Sequence, residues 1–304
     1  MPSQVESTEH LSPKTEEVLE GGEQEKLKAE HDSRGLLARI TDCFHVSLRG
    51  ESQRRNDHVG ASNIPRQYAW SYTCVEGSTG PSHWAELSPN YSLCSSGKAQ
   101  SPVSIESFNL KVDESLPPLD LTYDNSENYV NATVLNDGHT VKIIREGGSL
   151  VFKGVNYSLI EFHLHTPSEH TVDGKSYPME MHLTHMSDSG GIAIVGAFFE
   201  LSADDNSKLN QYFPLFPHLK VGQPVHDITS KIIATPKDMF TYYVYEGSLS
   251  KPPCTENVLY TIIKEVYFLS PRQVKWLQEA VNGHNNRPIQ PLNGRTIYTT
   301  KYFK

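Results

Sequence analysis

Five of the chain's 14 histidines, His163, His165, His170, His182 and His185, fall between positions 163 and 185. Two short segments hold most of them. In Glu161-Phe162-His163-Leu164-His165, a β-strand turns alternate residues to one face. His163 and His165 then point one way, and Phe162 and Leu164 point to an apolar side. In Glu180-Met181-His182-Leu183-Thr184-His185, Glu180, His182 and Thr184 share a face opposite Met181 and Leu183. The connection from Thr166 to Ser176 contains Pro167, Asp173 and Gly174, which suits a hairpin-like return. Antiparallel pairing of the two strands brings three imidazoles together. Three neutral imidazoles with an open fourth position are the donor set of a catalytic zinc site, whereas structural zinc sites are closed and cysteine-rich. Glu180 is spaced to accept the second N–H of His182. A lone H-x-H ordinarily reads as hydrogen-bonded core or surface histidines. A third histidine in phase, with a glutamate in phase beside it, favours the metal.

The elements that must position these groups are strands. Segments 119–123, 130–135, 139–145, 149–152, 158–165, 179–185, 192–200 and 258–267 read as strands. Asn136-Asp137-Gly138 and Glu146-Gly147-Gly148 are turn signals between them. One helix is well marked: Ser270 caps it, Pro271 opens it, Val274, Leu277 and Val281 line one face, and Gly283 ends it. The domain reads as mostly β with few helices. Its 15 Tyr, 11 Phe and 3 Trp suffice for a real core.

The N-terminal part has a different texture. Residues 1–34 carry nine Asp or Glu against four Lys or Arg and no aromatic residue. Such a segment buries too little apolar surface to offset its chain entropy, so it reads as disordered. A weak amphipathic helix signal covers 36–48, and Glu51 to Arg66 is polar linker. The expected organisation is therefore a tail over 1–66 and a catalytic domain over 67–304. A net charge of -9 without a basic stripe argues against nucleic acid as a partner. No apolar run approaches the roughly 20 residues of a membrane helix. The first thirty residues also lack a basic region followed by an apolar one, the pattern of a secretory leader.

From Trp70 to Phe303 the sequence resembles an α-class carbonic anhydrase of the extracytoplasmic, plant-like type. The motifs carrying the resemblance occur in family order: Gly80-Pro81-Ser82-His83-Trp84, Gln100-Ser101-Pro102-Val103, Asn136-Asp137-Gly138-His139, Glu161 to His165, Ser168-Glu169-His170-Thr171-Val172-Asp173-Gly174, Glu180 to His185, Gly247-Ser248-Leu249-Ser250-Lys251-Pro252-Pro253, and Arg287-Pro288-Ile289-Gln290-Pro291-Leu292. The resemblance implies a single domain around a ten-stranded, mostly antiparallel twisted sheet. It implies Zn2+ on His163, His165 and His182, and reversible hydration of CO2 to bicarbonate and a proton by attack of zinc-bound hydroxide. Glu180 would orient His182, with Glu161 behind His163. Glu169 would accept a hydrogen bond from the Ser250 hydroxyl, which in turn would align the nucleophile. His139, after a turn and before a strand, would shuttle protons, a role suited to a group titrating near neutrality. Leu249, Ile194, Val258 and Thr184 would line the substrate pocket. CO2 and bicarbonate are the implied partners, and a monomer is expected.

The sequence departs from the family pattern at several positions. Ser250 and Lys251 stand where Thr is usual, Tyr260 where Trp is, Glu161 where Gln is, and Thr184 where an apolar residue is. No ligand is lost. These departures keep alive a second reading, a carbonic-anhydrase-like binding, storage or matrix protein with weak or no activity. Cys94 and Cys254 match positions that form a disulfide in extracytoplasmic members, which would imply an oxidising compartment. Sequons at Asn90, Asn131 and Asn156 are compatible with that. Cys43 and Cys74 have no assigned partner.

Overall fold

Period-two patterning becomes strand wherever the sequence carries it. The computed structural model describes residues 70–72, 79–123, 130–145, 147–230 and 239–301. The tail expected over 1–66, the helix signal at 36–48, Cys43, Cys74 and Glu146 lie outside the described residues. The strands are β1 (Ser104–Ile105), β2 (Lys111–Val112), β3 (Asp120–Thr122), β4 (Val130–Asn136), β5 (Val141–Arg145), β6 (Ser149–Phe152), β7 (Val155–His165), β8 (Thr171–Val172), β9 (Met179–Ser187), β10 (Ile192–Leu201), β11 (Val225–Ser230), β12 (Tyr242–Ser248), β13 (Glu256–Leu269) and β14 (Tyr298–Thr299). The α-helices among the described residues are α1 (Trp84–Leu87), α2 (Leu93–Ser96) and α3 (Pro271–Ala280).

All eight expected strands are present, and one sheet takes in 12 strands. Ten of these follow one path, β11-β4-β5-β7-β9-β10-β13-β12-β14-β2, with β6 flanking β7 and β3 flanking β6. Pairing is mostly antiparallel, and the parallel pairs in this sheet are β10 with β13 and β14 with β2. β12 was not expected. It is paired on both sides, by β13 and β14, and buried on both faces apart from Glu246, so no polar alternation marks it.

The central strands separate two apolar layers. Phe162, Leu164, Met181, Leu183, Val195, Ala197 and Phe199 join a cluster with Tyr212, Phe213, Phe216 and the α3 residues Val274 and Leu277. Burying each Val, Leu, Phe or Met side chain among them contributes about 1.5–3 kcal/mol. The opposite face of the same strands carries the histidines and a second cluster that includes Ile194, Phe198, Tyr245, Val258, Tyr260 and Ile262. The helix α3 starts as the sequence reads: the Ser270 side chain accepts from the Gln273 N–H, and Gln273 answers it to close a capping box.

The turn before β5 is built by side chains. Asn136 Oδ1 accepts from the Gly138 N–H at 2.8 Å, and Asp137 Oδ1 accepts from the His139 and Thr140 N–H groups at 2.9 and 2.8 Å. Gly138 takes φ +88°, a conformation that favours glycine. No helix among the described residues is long and apolar enough to cross a membrane.

Candidate metal centre

The antiparallel register of β7 and β9 sets three successive rungs on one face: Glu161 opposite Thr184, His163 opposite His182, and His165 opposite Glu180. Burial is nearly complete, with His163, His165 and His182 at 4%, 1% and 0% exposure. One ring nitrogen from each of the three lies within 4.8 Å of the others.

Hydrogen bonds on the far side of each ring fix which nitrogen that is. His163 Nδ1–H donates to Glu161 Oε1 at 2.9 Å and Oε2 at 3.1 Å. His165 Nδ1–H donates to the Asn285 carbonyl at 2.7 Å. His182 Nε2–H donates to Glu180 Oε1 at 2.8 Å. The lone pairs are thereby left on His163 Nε2, His165 Nε2 and His182 Nδ1. Of these, His165 Nε2 and His182 Nδ1 are buried without a hydrogen-bond partner. A buried polar atom ordinarily has a partner, and converging imidazole lone pairs are what a metal ion takes up. The donor set fits the expected ion.

Charge supports the neutral state for two of the three rings. Burial pushes His163 down to about 3 despite the opposing pull of Glu161. Burial also lowers His165, against the pull of Glu169. Both rings are therefore neutral at pH 7. For His182, burial is outweighed by Glu180, which raises its pKa, so acid places a proton in competition with a metal at Nδ1.

Glu180 is a hub with 0% exposure. Besides His182, its Oε1 accepts from His170 Nδ1–H at 2.8 Å, and its Oε2 accepts from the Glu169 and His170 backbone N–H groups, both at 2.9 Å. Burial pushes its pKa up, but His170 and His182 together hold it well below the usual carboxylate range. His170 Nε2 pairs with the Tyr245 hydroxyl at 2.7 Å, and Tyr245 pairs with Ser101 Oγ at 2.8 Å. Gly196 on β10 lies beside His182, where an added Cβ would come 3.3 Å from Glu180 Oε1 and 3.2 Å from Ile262 Cγ1.

His170, Tyr245, Ser101, Gly196 and Asn285 carried no expected role. Most are distant in the chain from the ligand they support. His170 and Ser101 lie inside recognised motifs, which was the one available signal.

Leu249, Ile194 and Val258 belong to the apolar cluster on the histidine face, and Thr184 is 2% exposed beside Ile194. Ser250 is 5% exposed, in the loop between β12 and β13. The Cys94–Cys254 disulfide is formed and ties that loop to α2. The expected hydrogen bond from Ser250 to Glu169 is not made. Glu169 Oε1 accepts from the Arg287 N–H at 3.0 Å, while its Oε2 has no hydrogen-bond partner and turns towards His165 Nε2 at 3.4 Å. Burial next to Lys142 pushes the Lys251 amine down to about 8, against the opposing pull of Glu161, Asp137 and Glu169.

His139 lies outside the cluster of three. Its ring stacks on Trp70 at 3.7 Å, and Nε2–H donates to the Trp70 carbonyl at 2.9 Å. Burial lowers its pKa, with Asp137 opposing.

A family model described as eukaryotic-type carbonic anhydrase matches residues 79–301. A carbonic anhydrase of Klebsiella pneumoniae is 36% identical over 233 residues, covering 75% of this chain and 89% of that protein. Among solved structures, an α-carbonic anhydrase from Thermovibrio ammonificans in complex with sulfanilamide matches with a TM-score of 0.68 at 36% identity, over 76% of this chain and 99% of that one. A dioscorin complexed with ascorbate matches with a TM-score of 0.70 at 30% identity, over 78% of this chain and 99% of that one.

Proposed function

The chain belongs to the eukaryotic-type carbonic anhydrase family and is a carbonic anhydrase; from that premise we propose that it hydrates CO2 with a zinc ion held by His163, His165 and His182. The observation that carries this reading is the convergence of three imidazole nitrogens, each freed by a hydrogen bond on the other side of its ring. Three nitrogen donors without thiolate suit catalytic zinc. Zinc held there would supply a Lewis acid that lowers the pKa of a water it binds, an effect for which carbonic anhydrase is the reference case.

The chain's own residues supply position and proton movement. Glu161, Asn285 and Glu180 fix the ring orientations and tautomers of the ligands. Leu249, Ile194 and Val258 form the apolar wall against which CO2 lies, with the Thr184 methyl beside them. Glu169 Oε2, which lacks a donor, is the acceptor we assign to the Ser250 hydroxyl. The Ser250 backbone N–H is the donor for the product anion. The disulfide supports an oxidising compartment.

We assign the proton relay to His139. With Nε2–H on the Trp70 carbonyl, Nδ1 is the nitrogen left to accept a proton. His139→Ala is expected to slow turnover in dilute buffer by up to roughly 10²-fold, the low end for a positioned acid–base group. Added imidazole restores part of the rate. Exchange of CO2 with bicarbonate at equilibrium, which needs no net proton transfer, changes little. An equal fall in exchange and turnover means that His139 is structural.

The likeness to a dioscorin complexed with ascorbate favours the second reading, a binding or storage protein. Retention of all three ligands and their supports makes the enzyme the better reading. Zinc stoichiometry and a CO2 hydration assay on the purified chain decide between them. The expected result is one zinc per chain and activity abolished by chelation. A chain that retains zinc without hydrating CO2 supports the second reading.

A further inference from the structure

Glu161 is a carboxylate at 4% exposure, and its oxygens take hydrogen bonds from two side chains. His163 Nδ1–H reaches Oε1 at 2.9 Å and Oε2 at 3.1 Å, and Thr184 Oγ1–H reaches Oε1 at 2.7 Å. Thr184 faces Glu161 directly across the β7–β9 ladder, one rung from the pair His163 and His182. The same row continues into Ile144 on β5 and Ile194 on β10, which bring only aliphatic side chains. The Thr184 hydroxyl is thus a polar donor set in an apolar row and aimed at a buried anion.

We propose that Thr184 is a positioning residue for the metal. By anchoring the Glu161 carboxylate, it holds the His163 tautomer and ring plane that present Nε2 to the ion. This rests on His163 being a zinc ligand.

A hydrogen bond to a charged acceptor is among the stronger kinds in a protein, and one formed in a dry site is strengthened by its low dielectric. A β-branched threonine has few χ1 options, so its hydroxyl is preset rather than recruited. With that donor removed, Glu161 keeps His163 as its hydrogen-bonding side chain and can swing with the imidazole instead of restraining it. Outer partners of this kind typically alter metal affinity 10–100-fold. A third-layer residue acting through one of them falls at the lower end of that range.

The experiment follows zinc release from the holoenzyme into excess chelator, with circular dichroism to show that each variant is folded. Thr184→Val is expected to release zinc roughly tenfold faster than the parent. Thr184→Ser, which keeps the hydroxyl, should stay within about twofold of the parent. In a Glu161→Ala background, adding Thr184→Val should change release by less than about twofold, because the group it positions has gone. If Thr184→Val does not fold, Thr184→Ala enters the same comparison.

Parent-like release from a folded Thr184→Val overturns the proposal and leaves Thr184 as pocket lining only. So does an equal acceleration with and without Glu161, which means that Thr184 acts by another route. A parent chain that holds no stoichiometric zinc is a different failure, that of the ligand assignment itself.

Discussion

His182→Ala is expected to abolish CO2 hydration and to lower zinc affinity by orders of magnitude. His163 and His165 come from one strand, two residues apart, and His182 is the ligand contributed by the neighbouring strand. Two imidazoles on one strand face do not define a tetrahedral site with a single open position. The substitution also removes the Nε2–H that Glu180 Oε1 accepts at 2.8 Å. Glu180 keeps His170 and two backbone donors, so the hub survives and the protein should fold. Losing that hydrogen bond to a charged group costs about 1.5–3 kcal/mol of stability. Metal content by mass spectrometry and hydration by stopped flow give the readout. Parent-like zinc content and activity in a folded variant would sink the ligand assignment.

The parts of this site that were legible in the sequence rest on period two. His163, His165, Glu180 and His182 could be placed on one face because strand geometry leaves alternate residues no other choice. Their pairing followed from a turn-rich connection between them. The helix at Pro271–Ala280 was legible because caps are local. What stayed hidden is contributed from a distance. Asn285, whose carbonyl orients His165, lies 120 positions further along the chain. Tyr245 reaches His170 across 75 positions. No local pattern encodes such meetings, which depend on the register of the whole sheet.

β12 stayed hidden for a related reason. With neighbours on both sides and both faces buried, Tyr242-Tyr243-Val244-Tyr245 has no polar alternation to announce it. The Arg287 backbone N–H on Glu169 Oε1 was not foreseen either, and it leaves Oε2 as the oxygen without a donor. The disulfide and the apolar pocket residues were reached through resemblance, not through any pattern in the residues themselves.

Glu180→Gln tests how far a single oxygen controls the metal. The two side chains are nearly the same shape, so packing around a residue with 0% exposure is preserved. The hydrogen-bond arithmetic is not. Glu180 accepts from four donors, two imidazole N–H groups on Oε1 and two backbone N–H groups on Oε2. Glutamine has one acceptor oxygen and one NH2 group, so one pair of donors must meet an NH2. The backbone N–H groups cannot change, whereas an imidazole can shift its proton to the other ring nitrogen. The amide oxygen therefore turns to the backbone and the NH2 to the rings. His170 can adapt, because its Nε2 faces the Tyr245 hydroxyl, which rotates to accept. His182 cannot adapt without cost. Its proton moves to Nδ1, the nitrogen that converges with those of His163 and His165, and a metal must then displace it. The expected result is a fall in zinc affinity of about 10²-fold, the upper end for an outer partner of a ligand. The zinc-free variant should melt roughly 2–12 °C below the zinc-free parent, since about 1–3 kcal/mol is at stake. Zinc affinity by chelator competition and the His182 tautomer by nitrogen NMR are the two measurements. If Glu180→Gln binds zinc like the parent, the tautomer of His182 does not govern the site. If zinc affinity falls while the proton stays on Nε2, Glu180 acts through its charge and not through the hydrogen bond it accepts.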